Sequence, residues 1–323
     1  MPVREYPAVR PRQTGAPRPL QQGLTLVELM VAITAGLLLL AGIVQILIST
    51  KANYRLQEAM ARMQEDGRVA MHFLSEDIRK TDYWGCQPDI SDMTNGLNSG
   101  GEGYINIGNG GVEGTEGGAD PDTLTLRGGA GNGATVVDPF MPTPSSALFV
   151  SADADLEDGD ILIVSDCTGG DVFQATNVST TGSKTTVVHN PGGSATPGNA
   201  SGDLSKVYRG DASIYKLQEI TYSIQNGASG EPALFRSENG VAQELVEGVE
   251  DMQILYGEDT TGDGTADRYV QADAAGLDME AVVSIRVILT LRSADFLSLD
   301  DSGADRRIRR YFTTTVALRN RTG

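Results

Sequence analysis

The hydrophobic pattern of the chain takes three forms. From 24 to 48 it is almost unbroken, LTLVELMVAITAGLLLLAGIVQILI. At about 1.5 Å of rise per residue, roughly 20 apolar residues cross the hydrocarbon layer of a bilayer, so this run is long enough to span one. From 49 to 80 the apolar positions thin out to steps of three and four: Leu56, Met60, Met63, Ala70, Leu74 and Ile78, with Val69 and Phe73 beside them. That is the period of an amphipathic helix, and no Pro interrupts it. Glu58 with Arg62 and Glu76 with Lys80 add i,i+4 pairs in the favourable orientation. The pattern predicts one helix of about 55 residues, apolar all round at first, whose second half lays its stripe against a sheet. Gly67 inside the stripe costs about 1 kcal/mol relative to Ala and admits a bend. Gly36 and Gly42 allow bending or close packing in the first half.

Past residue 82 the period becomes two. Strand-like runs are predicted at 123–126, 134–137, 160–164, 184–189, 214–224, 233–236, 252–256, 281–291 and 311–318, with turn residues between them. A helix packed on mostly antiparallel strands is an α+β architecture. The segment 96–133 is rich in Gly, Asn, Asp and Glu and reads as a long exposed loop or irregular insertion. Within it and just after, Gly128-Gly129-Ala130-Gly131-Asn132-Gly133 has neither the strand-to-helix context nor the Lys of a phosphate cradle.

Composition supports this reading. Of 323 residues, 40% are hydrophobic, which allows a real core, while 39 Gly and only 6% aromatics favour short strands and long turns over a bundle. The net charge of −18 is uneven. Arg4, Arg10, Arg12 and Arg18 against Glu5 give the first 23 residues a formal +3, so the remaining 300 carry −21, from 21 Lys and Arg against 42 Asp and Glu. Such an acidic body argues against nucleic acid as a partner, because phosphate contacts need clustered Lys and Arg. The basic segment should stay cytoplasmic and the acidic body be translocated.

Three features set the apolar run apart from an ordinary anchor. Gly23 immediately precedes it, and no A-x-A-like site follows it, unlike a secretory signal peptide. Glu28 lies five residues into it, where a carboxylate costs about 2.5–3.5 kcal/mol and is therefore a candidate functional residue. The helical pattern also continues past the membrane length. The string Gly23-Leu24-Thr25-Leu26-Val27-Glu28 resembles the processing site of type IV prepilins and pseudopilins. The resemblance implies cleavage after Gly23 by a membrane prepilin peptidase, N-methylation of Leu24, and Glu28 as the intramembrane glutamate that meets a neighbouring N-terminus. Leu24 stands where the family usually has Phe.

Further on, Ile220-Thr221-Tyr222-Ser223-Ile224, Ala233-Leu234-Phe235-Arg236, Leu245-Val246-Glu247-Gly248-Val249-Glu250 with Met252-Gln253-Ile254-Leu255-Tyr256-Gly257, and Phe312–Asn320 resemble the PilW-type minor pilin group. Gly85-Cys86 after the helix is similar too. The resemblance covers roughly 22–90 and 210–321 and implies a pilin-like fold. The implied function is a minor pilin that helps initiate type IV pilus assembly at the tip, with other minor pilins, the major pilin, the inner-membrane assembly platform and a tip adhesin as partners. The implied location is the inner membrane, with the body in the periplasm, and then the filament. The alternatives are a J-type minor pseudopilin of type II secretion and, from another class, an anchored calcium-dependent adhesive module.

The organisation expected is a removed leader over 1–23, a membrane or filament-core half over 24–48, an amphipathic half over 49–81, and a β-rich body over 82–323. An exported body lives where thiols oxidise, so Cys86 and Cys167 are expected to pair, the alternative being two unrelated buried thiols. Closing a loop of about 80 residues stabilises by roughly 4 kcal/mol in the chain-entropy model.

Asp259, Thr261, Asp263, Thr265 and Asp267, with Gly264 between them, place oxygens in the alternating manner of a Ca²⁺ loop. Val270 stands where an EF-hand has its bidentate Glu, and the competing reading is a polar turn held by Asx bonds. The turn with Asp153, Asp155, Glu157, Asp158 and Asp160 is a weaker acidic candidate. His72 and His189 are the only histidines, and no H-E-x-x-H, G-x-S-x-G or C-x-x-C occurs. Enzymatic activity is not expected.

Overall fold

The computed structural model describes residues 23–86, 90–108, 110–153, 155–192, 196–293 and 307–322. The leader expected over 1–23 lies outside these residues except for Gly23. The chain divides into two units, 1–55 and 56–323.

The predicted helix, α1, runs unbroken over Leu26–Lys80, 55 residues. In the first unit its apolar residues face outward: Leu38 is 76% exposed, and the most apolar 18-residue stretch has no buried residue. Hydroxyls in this stretch turn back on the helix. Thr34 donates to the carbonyls of Met30 and Val31, and Ser49 to that of Gln45, so neither needs water.

In the second unit α1 buries Met63, Gly67, Ala70, Leu74, Asp77 and Ile78, a stripe at helical spacing. The helix continues through Gly67 without a break. A Cβ there would lie 2.5 Å from the Phe312 ring, so the glycine permits close approach. Thr81 closes the last turn through its N–H and hydroxyl to Asp77 O, and Asp82 then takes a left-handed conformation, φ 65°.

A short 3₁₀ turn, Ile90–Asp92, leads to β1 (Met93–Asn95), β2 (Val112–Thr115), β3 (Thr123–Thr135), β4 (Leu148–Ser151), β5 (Ile161–Asp166), β6 (Gly169–Gln174), β7 (Asn177–Thr181) and β8 (Lys184–Val188). Then follow β9 (Ser213–Asn226), β10 (Pro232–Glu238), β11 (Val241–Glu247), β12 (Val249–Glu258), β13 (Arg268–Val270), β14 (Val282–Arg292) and β15 (Arg309–Ala317). One sheet has the order β1-β6-β5-β9-β10-β11, with β3 on the other edge of β9 and β2 beside β3. A second has the order β13-β12-β14-β15 and a third β4-β8-β7. Among the described residues every strand pairing is antiparallel except β1 with β6, which gives the expected α+β fold.

The segment 96–133 departs from the expected exposed loop. It holds β2 and most of β3, and it buries Ile105, Ile107, Val112, Leu124 and Leu126. Its glycines are structural. The chain after α1 pairs along β3, with Asp82 N–H donating to Arg127 O and Gly129 N–H to Tyr83 O, and a Cβ on Gly128 would lie 3.1 Å from Tyr83 N. The main core joins the helix stripe to β3, β9, β12 and β14, so that Leu74, Tyr222, Ile254 and Leu289 lie in one cluster. A second core lies under the three-stranded sheet around Leu148, Phe173 and Tyr208, and a third surrounds Trp84.

Candidate functional site

The first candidate site is the start of α1. Thr25 is the N-cap and Glu28 the third helical residue, and they close a reciprocal box. Glu28 N–H donates to Thr25 Oγ1 at 3.2 Å, while Thr25 N–H and Oγ1–H both donate to Glu28 Oε2 at 2.9 Å. The T-x-x-E signature of such a box was readable in the sequence and explains locally why a carboxylate is compatible with this apolar run: it satisfies a helix donor that hydrocarbon cannot. Leu24, Leu26 and Val27 around it are exposed, and a Cβ on Gly23 would meet nothing within 4 Å.

The second is the junction where α1 ends. Asp77 Oδ2 accepts from Tyr222 Oη at 2.6 Å and from Arg236 Nε at 2.8 Å, which ties the last turns of the helix to β9 and β10. Burial first, and then the Asp77 charge, push the Tyr222 hydroxyl far above its usual range. Asp82 Oδ1 accepts from Trp84 Nε1 and Gly111 N–H, and Oδ2 pairs with Arg321, whose guanidinium also reaches the carbonyl of Val282 at 2.9 Å. Cys86 and Cys167 form a disulfide, with Cα atoms 4.8 Å apart, linking this junction to the β5–β6 turn.

The oxygen-rich loop is closed on itself. Asp259 accepts from the N–H groups of Thr261, Gly262 and Gly264, Asp267 from Thr260 and Thr261, and Asp263 from Thr265. Partial desolvation opposes ionisation of Asp259, yet the amides of Gly264 and Gly262 hold its carboxyl below the ordinary value. These are the bonds of a polar turn. Among the described residues no three His, Cys, Asp or Glu side chains are grouped so as to hold a metal ion. The other acidic turn is also engaged structurally, with Asp158 accepting from Val178 N–H and Asp160 pairing with Lys216 at 3.0 Å. His72 is exposed beside Glu76, and His189 is buried against Ser146 O, so the two share no site.

Two family models match. That for the prokaryotic N-terminal methylation motif covers residues 18–44, and that for Type IV Pilus-assembly protein W covers 221–320. The chain carries a PilW domain and a prepilin-type N-terminus. No curated protein and no solved structure is significantly similar to it. The methylation motif contains Gly23, Leu24 and the Thr25–Glu28 box. The PilW domain takes in the C-terminal part of β9 and then β10 to β15, which together supply much of the sheet surface under α1. Both point to a structural rather than an enzymatic protein and support a type IV pilus minor pilin anchored through its apolar helix.

The sequence reading singled out Gly23, Leu24, Glu28 and the cysteines but missed Asp77, Asp82, Arg236 and Arg321, which hold the PilW strands to the helix end. Their pairs are separated by 145 to 239 residues, and one sequence carries no signal for such contacts.

Proposed function

We propose that the chain is synthesised as a membrane-inserted precursor and cleaved after Gly23 by a prepilin peptidase. It then joins other minor pilins to initiate the pilus at its tip, with the body on the periplasmic side before export. The observation that carries this reading is the exposed apolar half of α1. Its large apolar side chains from Leu24 to Ile48 are exposed, it begins at a capped helix end, and it overlaps the methylation motif over 24–44.

The chemistry of assembly follows from that surface. In a filament, apolar helices of several subunits would bury one another's exposed faces at about 25 cal/mol per Å² of apolar area. Cleavage leaves an ammonium on Leu24, one residue before Thr25. A neighbouring subunit's ammonium would be drawn to Glu28 in a medium that screens poorly, which fixes register as well as affinity.

The test is processing followed by incorporation. Gly23→Ala should abolish cleavage by prepilin peptidase, and the mature protein should begin with N-methylated Leu24. Normal cleavage and incorporation of Gly23→Ala would remove the reading. A minor pseudopilin of type II secretion would share this N-terminal chemistry, but the match over 221–320 favours the pilus. Loss of surface pili with intact exoprotein secretion in a deletion strain would decide between them.

A further inference from the structure

The body is strongly acidic, yet one groove on it is lined by cations. Where α1 ends, Arg79, Lys80, Arg127 and Arg319 border a cavity of about 440 Å³ floored in part by Gly128, Gly129 and Gly131. Two of these cations already have carboxylates: Lys80 lies 2.5 Å from Glu76, and Arg127 lies 2.8 Å from Glu113 and 2.6 Å from Glu219. Asp77, the acidic residue on the groove wall, is occupied by Arg236 and Tyr222. Arg79 and Arg319 are exposed and have no partner among the described residues. Buried Arg127 also keeps Nη1 without a hydrogen bond.

From 24 onward, acids outnumber bases by 42 to 21, so a free arginine has many carboxylates within its own molecule to pair with. Of the arginines without a partner among the described residues, Arg79 and Arg319 both face this one cavity. A guanidinium holds a carboxylate through two parallel N–H bonds, and the glycine floor presents peptide backbone instead of side chains, leaving room for an extended chain. The cavity volume falls in the range of about 300–1,000 Å³ typical of ligand sites.

We propose that this groove receives an acidic peptide segment of a neighbouring subunit, with Arg79 and Arg319 each holding one of its carboxylates. Charge complementarity selects the partner, and acidic turns such as this chain's own 153–160 show the kind of segment meant. Only the identity of the neighbour as a pilus subunit rests on the function proposed above.

The test uses the full chain in detergent and a fluorescent, end-blocked peptide of glutamates, read by anisotropy. The double variant Arg79→Glu with Arg319→Glu should bind the peptide at least about tenfold more weakly, and added salt should weaken the parent protein more than the variant. Arg310→Glu alters an exposed arginine with no partner among the described residues, away from the groove, and should leave binding within about twofold of the parent. Unchanged circular dichroism shows that all variants fold. Absence of peptide binding by the parent, or an equal loss in Arg310→Glu, would overturn the proposal. Displacement of the peptide by millimolar inorganic phosphate would overturn it in favour of a small-anion site. The assay requires neither cleavage nor assembly, so its failure leaves the pilin reading standing, and normal processing of Gly23→Ala removes that reading without touching the groove.

Discussion

The two halves of α1 both carry apolar side chains, densely in the first and sparsely in the second, and these meet opposite fates. Between 26 and 48 apolar side chains point in every direction and are exposed, while between 63 and 78 a stripe forms whose Ala70, Leu74 and Ile78 are completely buried, with Val69 and Phe73 exposed beside it. Hydrophobicity alone demands burial in both places. Periodicity tells where the burial happens: a stripe fits a partner on one side, supplied by the chain's own sheets, whereas an all-round apolar surface fits surroundings that the chain does not supply.

The sharpest way to break this comparison is to make one change in both halves. Leu74→Ala removes a fully buried side chain from the main core and should destabilise the body by about 3 kcal/mol, read as a lower urea midpoint. Leu38→Ala, at a position 76% exposed, should leave that midpoint unchanged and weaken incorporation into pili instead. Equal effects on unfolding would show that the first half packs on the body after all.

Glycine gives a finer test. A Cβ at Gly67 would press on Phe312 at 2.5 Å, but at Gly36 it would meet nothing within 4 Å. The helix gains about 1 kcal/mol from Gly to Ala in either place. At Gly67 overpacking costs about 1–3 kcal/mol, so Gly67→Ala should be net destabilising by about 1 kcal/mol. Gly36→Ala should raise helix content in micelles with no loss of body stability. A stabilised Gly67→Ala would mean that Phe312 swings aside freely.

Much of this contrast was legible. The unbroken run, the three- and four-residue steps and the absence of Pro located α1 closely, and two cysteines in an exported chain left one intramolecular pairing. The long strands β9 and β14 were also readable from their β-branched and apolar residues, although β14 is buried on both faces over much of its length. β6 was not, since Gly-Gly-Asp-Val-Phe-Gln is buried on both faces and its first half imitates a turn. The glycine half of β3 was read as loop because the signal there is missing side chains, and their absence is what lets the chain at 80–83 lie against the strand. At the candidate site Gly23 and Glu28 were legible and the cap at Thr25 was available but passed over. The Asp77–Arg236 and Asp82–Arg321 ties depend on tertiary contact alone.

Acid should separate the halves last and least. Glu231 is held down to about 2 by its hydrogen bond to Arg307, against partial desolvation, and by Arg292. Glu238 is lowered first by Arg236, and Asp166, despite desolvation, by Lys206 and Thr168. A carboxylate whose pKa is lower in the folded state adds stability above its unfolded value, and that stability is lost as pH falls towards the folded value. Asp66, raised by burial and then by Glu65, works in the opposite direction, but it is one group against several, Asp259 and Asp267 among them. The body should therefore lose stability as pH drops from about 4.5 towards 2, seen as a falling urea midpoint and fading near-ultraviolet dichroism. The apolar half carries Glu28 as its only acid, so its helical signal in micelles should persist over the same range. Parallel loss of both signals would mean that the helix depends on the body for its structure, and the contrast drawn from periodicity would fail.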